Sequence, residues 1–322
     1  MIYHIPAGRD GVETGAEEWL DRYKGKLPIV VRTYDAHSPY KTSPEYLLRY
    51  HDLGLTYMKQ YVNRDNIRYA RLCFDNHLFG KWANVGHRTR GMCMVLGNRM
   101  DPRYHIGTEE FKKRGLDLVK TYHRREEVAQ IEEVDLYGHG WEGPLPSYKG
   151  PLSPTDKKHR VMRKYEFSIV LENCIVDSYV SEKILDCLID LSIPVYLGSP
   201  TVGEDIPECC FIQLDPAGSL REQILAVRDT EEREVRQYQS EIAKHRGEVF
   251  SRYSTENNFS RIVYEWYNTH VSSGPQLSDE YYSTVEDEIT RLRPIESGLA
   301  DDARNFIKEK VLRVIRPSWK RS

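Results

Sequence analysis

The residue types best suited to chemistry gather between two adjacent apolar runs. Glu172 and Asn173 directly follow the first run, and Ser181, Glu182 and Lys183 open the amphipathic segment that leads to the second. Because the free N–H groups and the dipole of a helix's first turn favour anions, a lysine at this point suits a bound phosphate. The same spacing also fits an ordinary exposed Glu-Lys pair on a helix. The residues alone leave both interpretations open.

The elements that would position these residues follow from the apolar pattern. Tyr165–Leu171 and Ile193–Leu197 are predicted strands, and Ser181–Ile189 is a predicted helix with Ser181 as its N-cap. The second strand runs into Gly198, Ser199 and Pro200. Because parallel strands end at one edge of a sheet, the polar groups should meet there, where α/β folds bind ligands.

The rest of the chain shows the same alternation of strand and helix. It predicts strands at Leu27–Val31, Met92–Leu96, Val134–Tyr137 and Cys210–Leu214, and helices at Glu109–Tyr122, Glu231–Tyr253 and Asn258–Tyr267. The segment 142–157 is rich in Pro, Gly and Ser and is predicted to be a loop, whereas periodicity does not decide between helix and strand for 67–74. Such alternation favours parallel pairing and an α/β fold.

Several short motifs within 165–215 carry a resemblance to a known family. They are Leu171-Glu172-Asn173, Tyr179-Val180-Ser181-Glu182-Lys183, Ile193 to Ser199, Asp205-Ile206-Pro207 and Cys210 to Leu214. In this order the motifs closely resemble the donor-binding signature of the α1,3-fucosyltransferases, with Leu171 in place of the usual Phe. The resemblance is strong over 134–215, moderate over 92–118 and weak over 28–39.

The resemblance implies a GT-B architecture, which consists of two Rossmann-like lobes with the active site between them. The predicted organisation is an abbreviated N-terminal acceptor lobe at 1–90, a nucleotide-sugar donor lobe at 91–270, and a polar linker with a C-terminal helical tail at 271–322. The lobe is called abbreviated because few residues precede the first matched strand. Acceptor identity is therefore not inherited from the family.

The resemblance also implies roles for individual residues in binding the donor, GDP-fucose. Lys183 would contact the diphosphate, Glu182 would hold the ribose, Tyr179 would lie close to the phosphates, and Asn173 would order the loop or touch the donor. A second phosphate cation is expected on the helix that follows Gly97-Asn98. Arg114 is the first choice for it, with Lys113 and Arg103 as alternatives.

An inverting transfer needs a base that removes the proton from the acceptor hydroxyl. The family places a glutamate there, and at the matching point this chain has Asp35. Aspartate is one methylene shorter, which displaces the carboxylate by roughly an ångström. His37, which titrates near neutral pH, and Glu45 are the alternatives.

The composition and charge of the chain restrict the ligands and cofactors that it could bind and its cellular location. The 322 residues carry 46 basic and 49 acidic side chains, a formal net charge of −3, which gives no overall attraction to nucleic acid. The sequence has no Asp-x-Asp metal motif, and the six cysteines lack the CxxC spacing, so we expect thiols in or near the core and no metal or other cofactor. Six scattered histidines also lack metal-ligand spacing: His51, His77, His87, His105, His123 and His139. A cytoplasmic location is expected, since the first residues do not resemble a signal peptide.

The last segment of the chain, 304–322, is basic and amphipathic. Its apolar residues, Ile307, Val311, Val314 and Ile315, fall on one helical face with cations around them, a pattern typical of a helix that lies on a membrane surface. Docking on the protein's own body is the alternative. Peripheral membrane contact is thus one expectation for this segment.

The function implied by the resemblance is metal-independent, inverting transfer of fucose from GDP-fucose to a glycan hydroxyl. Two alternatives remain. One is a related transferase that uses another nucleotide sugar, because the matched residues mainly hold phosphate and ribose. The other is an inactive protein that binds a nucleotide sugar.

Overall fold

The structure is a computed structural model that describes residues 2–4, 30–32, 53–57, 59, 62, 66–72, 82–84, 88–98, 119–152, 155–254, 257–258 and 261–270. Several residues singled out in the sequence lie outside these ranges: Asp35, His37, Glu45, Arg103, Lys113, Arg114 and the whole segment 304–322. The structure therefore tests neither the base nor the Arg114 prediction.

The larger sheet is parallel throughout and has the strand order β12-β11-β9-β5-β7-β8. Its strands are β5 (Thr89–Val95), β7 (Val134–Tyr137), β8 (Tyr148–Gly150), β9 (Tyr165–Leu171), β11 (Ile193–Leu197) and β12 (Ile212–Gln213). The predicted α/β class with a parallel sheet is confirmed. The strand order reverses between β5 and β9, because the chain adds β7 and β8 on one side of β5 and then β9, β11 and β12 on the other, and this creates a switch point at the carboxyl ends of β5 and β9.

A smaller parallel sheet is formed in the order β1-β2-β3-β4. Its strands are β1 (Ile2–His4), β2 (Val30–Arg32), β3 (Leu53–Thr56) and β4 (Ile67–Tyr69). The segment 67–74, left undecided by periodicity, thus begins as a strand. The division into lobes at residue 90 stays a prediction.

The helices pack around the larger sheet. They are α1 (Arg124–Ala129), α2 (Thr155–Met162), α3 (Glu182–Asp190), α4 (Leu220–Arg228), α5 (Glu232–Tyr253) and α6 (Arg261–His270). In the part of the chain that the structure describes, no helix is long and apolar enough to cross a bilayer.

The hydrophobic core lies between the larger sheet and the helices α1 to α5. All five residues of β11 are buried, and so are all but one of β9, as expected for central strands covered on both faces. On α3 every residue from Ile184 to Asp190 is buried. The described cysteines are free thiols, and four of them, Cys93, Cys174, Cys187 and Cys210, are buried as the sequence predicted, whereas Cys209 is exposed.

Two sequence predictions are wrong in part. Val119 and Lys120, assigned to the end of a helix, instead form strand β6, which pairs antiparallel with β10 (Cys174–Ile175). The predicted loop 142–157 contains β8 and the first residues of α2. Both errors concern short elements that are stabilised by partners distant in sequence, which periodicity does not detect.

Candidate donor site at the carboxyl edge of the larger sheet

Glu172 organises the loop that follows β9. Its side chain is fully buried, and its carboxylate accepts hydrogen bonds from the Ser181 backbone N–H at 2.8 Å and the Ser181 hydroxyl at 2.6 Å. It also forms an ion pair with Lys183, with 3.1 Å between Oε2 and Nζ. A buried carboxylate needs such partners to offset its lost hydration. Glu172 therefore ties the end of β9 to the start of α3.

Ser181 is the N-cap of α3, as the sequence predicted. Its backbone is extended, with φ −97° and ψ −179°, and its hydroxyl oxygen accepts a hydrogen bond from the Lys183 backbone N–H. The Lys183 ammonium donates to the same oxygen at 2.9 Å, and its side chain is only 11% exposed. A cation in a helix's first turn opposes the helix dipole. Two anchors, Glu172 and Ser181, hold it there.

Gly198, which follows β11, allows Glu172 to reach its position. A Cβ at Gly198 would lie 2.5 Å from Glu172 Cγ and 2.3 Å from the Tyr196 hydroxyl oxygen, and real Cβ atoms do not approach other atoms so closely. Glycine is therefore needed for packing at this turn. The Gly198-Ser199 pair in the matched motif thus has a direct steric explanation.

Arg125 on α1 links the two strand ends at the switch point. Its guanidinium donates to the Gly97 carbonyl after β5 and to Asn173 Oδ1 after β9, each at 2.8 Å. The guanidinium also lies 4.8 Å from the ring centre of Tyr122, and Arg125 is only 2% exposed. A positive charge is thus fixed where α/β folds bind ligands.

Arg125 was not among the predicted site residues; the family resemblance placed a second phosphate cation at Arg114, which lies outside the described residues and stays a prediction. The sequence did hold one signal for Arg125. Arg124 and Arg125 lie in the first turn of a short helix, as Lys183 lies in the first turn of α3, and the helix dipole disfavours cations at this position. The contact with Asn173 could not be read from the sequence, since it spans 48 positions.

The loops after β5 and β7 are packed against each other. Gly138 and Gly140 have positive φ angles of 141° and 77°, and a Cβ at these positions would lie 2.1 Å from the Leu96 carbonyl oxygen and 2.9 Å from that of Asn98. The Asn98 N–H donates to the His139 carbonyl at 2.8 Å. These close contacts fix the positions of the two loops beside Arg125.

The predicted donor residues Asn173 and Tyr179 contact each other inside this loop. Asn173 Nδ2 donates to the Tyr179 hydroxyl at 3.3 Å, and Tyr179 is 1% exposed. The Tyr179 ring also lies 5.2 Å from that of Tyr57, which follows β3 of the smaller sheet. Glu182, by contrast, is exposed on the first turn of α3. The structure thus brings Asn173, Tyr179, Glu182 and Lys183 into one region.

A second contact joins the smaller sheet to the loops of the larger one. Arg71, after β4, donates from Nε and Nη2 to Asp205 Oδ1 at 2.8 and 2.6 Å. Asp205 also accepts from the Tyr253 hydroxyl at 3.2 Å. Burial lowers the pKa of Arg71, but the hydrogen bond and charge of Asp205 outweigh it and the pKa is raised overall. Nearby, Lys59 pairs with Glu204.

The segment that contains this site matches a family model. Residues 118–254 match the model described as glycosyltransferase family 10 (fucosyltransferase) C-term. The predicted family resemblance is confirmed. The matched segment contains all of the chain from α1 to the end of α5, including Arg125, Glu172 and Lys183.

Curated relatives match a shorter stretch. The chain is 40% identical over 86 residues to the GDP-fucose protein O-fucosyltransferase 3 of Rattus norvegicus, which is 26% of this chain and 18% of that protein. It is 36% identical over 67 residues to an alpha-(1,4)-fucosyltransferase of Arabidopsis thaliana, covering 21% of this chain and 17% of the relative. The matches to these relatives thus span less than a fifth of their length.

Two solved structures show distant similarity to this chain. An alpha1,3-fucosyltransferase structure superposes with a TM-score of 0.43 at 16% identity, covering 79% of this chain and 69% of that chain. Anabaena Alr3699/HepE in complex with UDP-glucose superposes with a TM-score of 0.49 at 12% identity, covering 76% of this chain and 73% of that chain.

Proposed function

We propose that this protein transfers fucose from GDP-fucose to an acceptor hydroxyl, with inversion at the anomeric carbon and without a metal ion. The observation that carries the proposal is the position of Lys183, anchored by buried Glu172 at the amino end of α3 and inside the segment that matches the fucosyltransferase model. A GT-B arrangement, with the smaller sheet in the acceptor lobe, belongs to the same proposal.

The donor would bind with its diphosphate at the carboxyl ends of β5 and β9. Lys183 and the first-turn N–H groups of α3 would meet the phosphate oxygens from one side, and Arg125 from the other. Arg114, the cation that the family resemblance implies, lies outside the described residues and remains the other candidate for the second phosphate cation. As the bond between the anomeric carbon and the phosphate oxygen breaks, its electron pair stays on the diphosphate. Fixed cations stabilise that growing charge more strongly than mobile water does.

The acceptor oxygen would attack the anomeric carbon from the opposite face while its proton passes to a carboxylate. Asp35 is the proposed base, and His37 and Glu45 are the alternatives; all lie outside the described residues. Asp35→Asn should abolish transfer and leave GDP affinity unchanged. Unaltered transfer in this variant would exclude Asp35 as the base.

The acceptor class has two candidates. The implied acceptor is a glycan hydroxyl. A hydroxyl of a protein side chain is the second candidate, because the rat relative at 40% identity is a GDP-fucose protein O-fucosyltransferase. An assay of transfer to free oligosaccharides and to folded protein acceptors separates the two.

The central experiment measures nucleotide release from GDP-fucose, and from UDP- and other GDP-sugars, with mixed acceptors. Lys183→Met should reduce transfer by about two to three powers of ten, the usual effect of losing one group that stabilises the transition state. Lys164→Met is the matched control, since Lys164 is exposed and immediately precedes β9, at the opposite edge of the sheet.

Two outcomes would overturn the proposal. Release from UDP-sugars alone would point to a transferase with another donor. Tight GDP binding without turnover of any donor would point to a nucleotide-sugar-binding protein.

A further inference from the structure

Three side chains capable of binding a metal meet on the surface between α5 and the 3₁₀ turn Glu208–Cys210. Cys209 lies on this turn, whereas Glu241 and His245 lie one helical turn apart on α5. Their ligand atoms, Sγ, a carboxylate oxygen and an imidazole nitrogen, all lie within 4.8 Å of one another. We propose that these three residues bind a zinc ion.

The distances between the ligand atoms support this assignment. Cys209 Sγ lies 3.8 Å from Glu241 Oε2, and His245 Nε2 lies 3.3 Å from the same oxygen. Bonds of about 2.3 Å to sulfur and about 2.0 Å to nitrogen and oxygen give tetrahedral edges of about 3.5 Å for S···O and about 3.3 Å for N···O. The nitrogen–oxygen separation already matches, and the sulfur–oxygen separation exceeds the tetrahedral value by only about 0.3 Å.

The ligand types select the class of metal. A thiolate, an imidazole and a carboxylate suit Zn²⁺ or its spectroscopic substitute Co²⁺, whereas Mg²⁺ and Ca²⁺ prefer oxygen ligands. Cys209 is exposed, but the adjacent Cys210 is 1% exposed and packs in the hydrophobic core. Cys210 is thus withdrawn from the site. Because Cys209 is exposed, the fourth coordination position faces solvent and is suited to a water molecule.

Lys244 is the competitor for this site. Its ammonium lies 3.1 Å from Glu241 Oε2 and would repel a cation bound to that oxygen. The Lys244 side chain is 65% exposed, so it can swing into water, and such exposed pairs contribute little. Removing Lys244 should therefore strengthen metal binding.

The consequence of binding would be structural. Cys209 follows Asp205-Ile206-Pro207, the loop that Arg71 contacts from the smaller sheet. A zinc ion would fasten the end of this loop to α5 and stabilise the folded state by mass action. This inference does not depend on the proposed transfer reaction or on its independence of metal.

The test is a titration of the full chain with Co²⁺, followed by displacement with Zn²⁺. The expected result is one equivalent bound, with a thiolate-to-cobalt charge-transfer band in the near ultraviolet. Cys209→Ser should abolish the band, His245→Gln should weaken binding at least about tenfold, and Lys244→Ala should tighten it. His123→Gln is the control, because His123 is exposed beside α1.

Thermal unfolding without metal shows whether each variant is folded, and with Zn²⁺ it gives a second readout. The unfolding temperature of the unaltered chain should rise with Zn²⁺, and that of Cys209→Ser should not. Absence of the charge-transfer band in the unaltered chain would overturn the proposal. So would an affinity that Cys209→Ser and His245→Gln leave unchanged.

Discussion

Each end of α3 carries charged side chains of the sign that the helix dipole disfavours. Different partners compensate these charges at the two ends. Lys183 lies in the first turn, whereas Asp186 and Asp190 lie towards the carboxyl end. At the first turn the compensation comes from Glu172 and Ser181, at the ligand-binding edge of the sheet. At the other end it comes from cations on and just after α2.

The carboxyl end of α3 is a network that joins helices. Asp190 is fully buried and accepts from His159 Nδ1 at 2.7 Å and from Arg163 Nε at 2.8 Å, and Lys158 pairs with Asp186 at 2.5 Å. Arg88, which precedes β5, donates to the Asp190 carbonyl. These contacts connect α2, α3 and the larger sheet away from the switch point. The comparison predicts that changes at this end affect stability, whereas changes at the first turn affect both stability and ligand binding.

The largest expected loss of stability is for Glu172→Gln. The amide keeps the shape but leaves the largely buried Lys183 ammonium without its counter-charge, which should lower the free energy of unfolding by about 3–5 kcal/mol. GDP affinity should fall as well. Urea unfolding measures the first effect, and Glu127→Gln is the control, since the exposed Glu127 carboxylate pairs with Arg124 on α1. A loss below about 1 kcal/mol, the level of an exposed pair, would contradict the account.

At the other end, Asp190→Asn should lower the free energy of unfolding by about 2–3 kcal/mol. The cost is smaller because the Arg163 side chain is 42% exposed and water can solvate its charge. GDP affinity should be unchanged when titrated below the unfolding temperature. A large loss of affinity would show that the two ends of α3 are not separate in function.

Replacing Ser181 separates its contribution as the N-cap of α3 from its hydrogen bond to Glu172. Ser181→Ala should cost about 1 kcal/mol for the lost cap and a further ~1 kcal/mol for the hydrogen bond to buried Glu172. Ser219, the N-cap of α4, also accepts from a first-turn N–H, so Ser219→Ala should show the capping cost alone. Equal losses in the two variants would argue against a structural role for the Ser181–Glu172 contact.

The smallest effect concerns pH at the carboxyl end of α3. The hydrogen bond to Asp190 outweighs burial and, with the charges of Asp190 and Asp186, raises the pKa of His159. Protonated His159 therefore stabilises the fold fully below about pH 6.5, the value for an unfolded chain, and the contribution is lost as the pH rises through the raised pKa. Unfolding free energies of the unaltered chain and of His159→Gln should converge above that pKa. Parallel curves across this range would contradict the assignment.

Local signals made the centre of the site predictable from the sequence. The bounds of β7, β9 and β11 agree with the prediction, and Ser181 caps α3 as expected, because apolar runs and a capping residue are encoded within a few positions. The family resemblance added the importance of Lys183. What it could not supply was the partner of Lys183, since the burial of Glu172 depends on the close approach at Gly198.

Contacts between distant segments account for what was missed. Arg125 acquires its position from Gly97 and Asn173, which follow two different strands, and β6 exists because it pairs with β10. The packing of a turn on a helix likewise brings the proposed zinc ligands together, although Cys209 and His245 are far apart in sequence. Pairings of this kind have no periodic signature in a single sequence.

The most direct test is a crystal structure of the chain with bound GDP. We expect the diphosphate at the carboxyl ends of β5 and β9, with Lys183 Nζ and the Arg125 guanidinium within hydrogen-bonding distance of phosphate oxygens. A diphosphate bound elsewhere, with Lys183 still paired only to Glu172 and Ser181, would contradict this expectation.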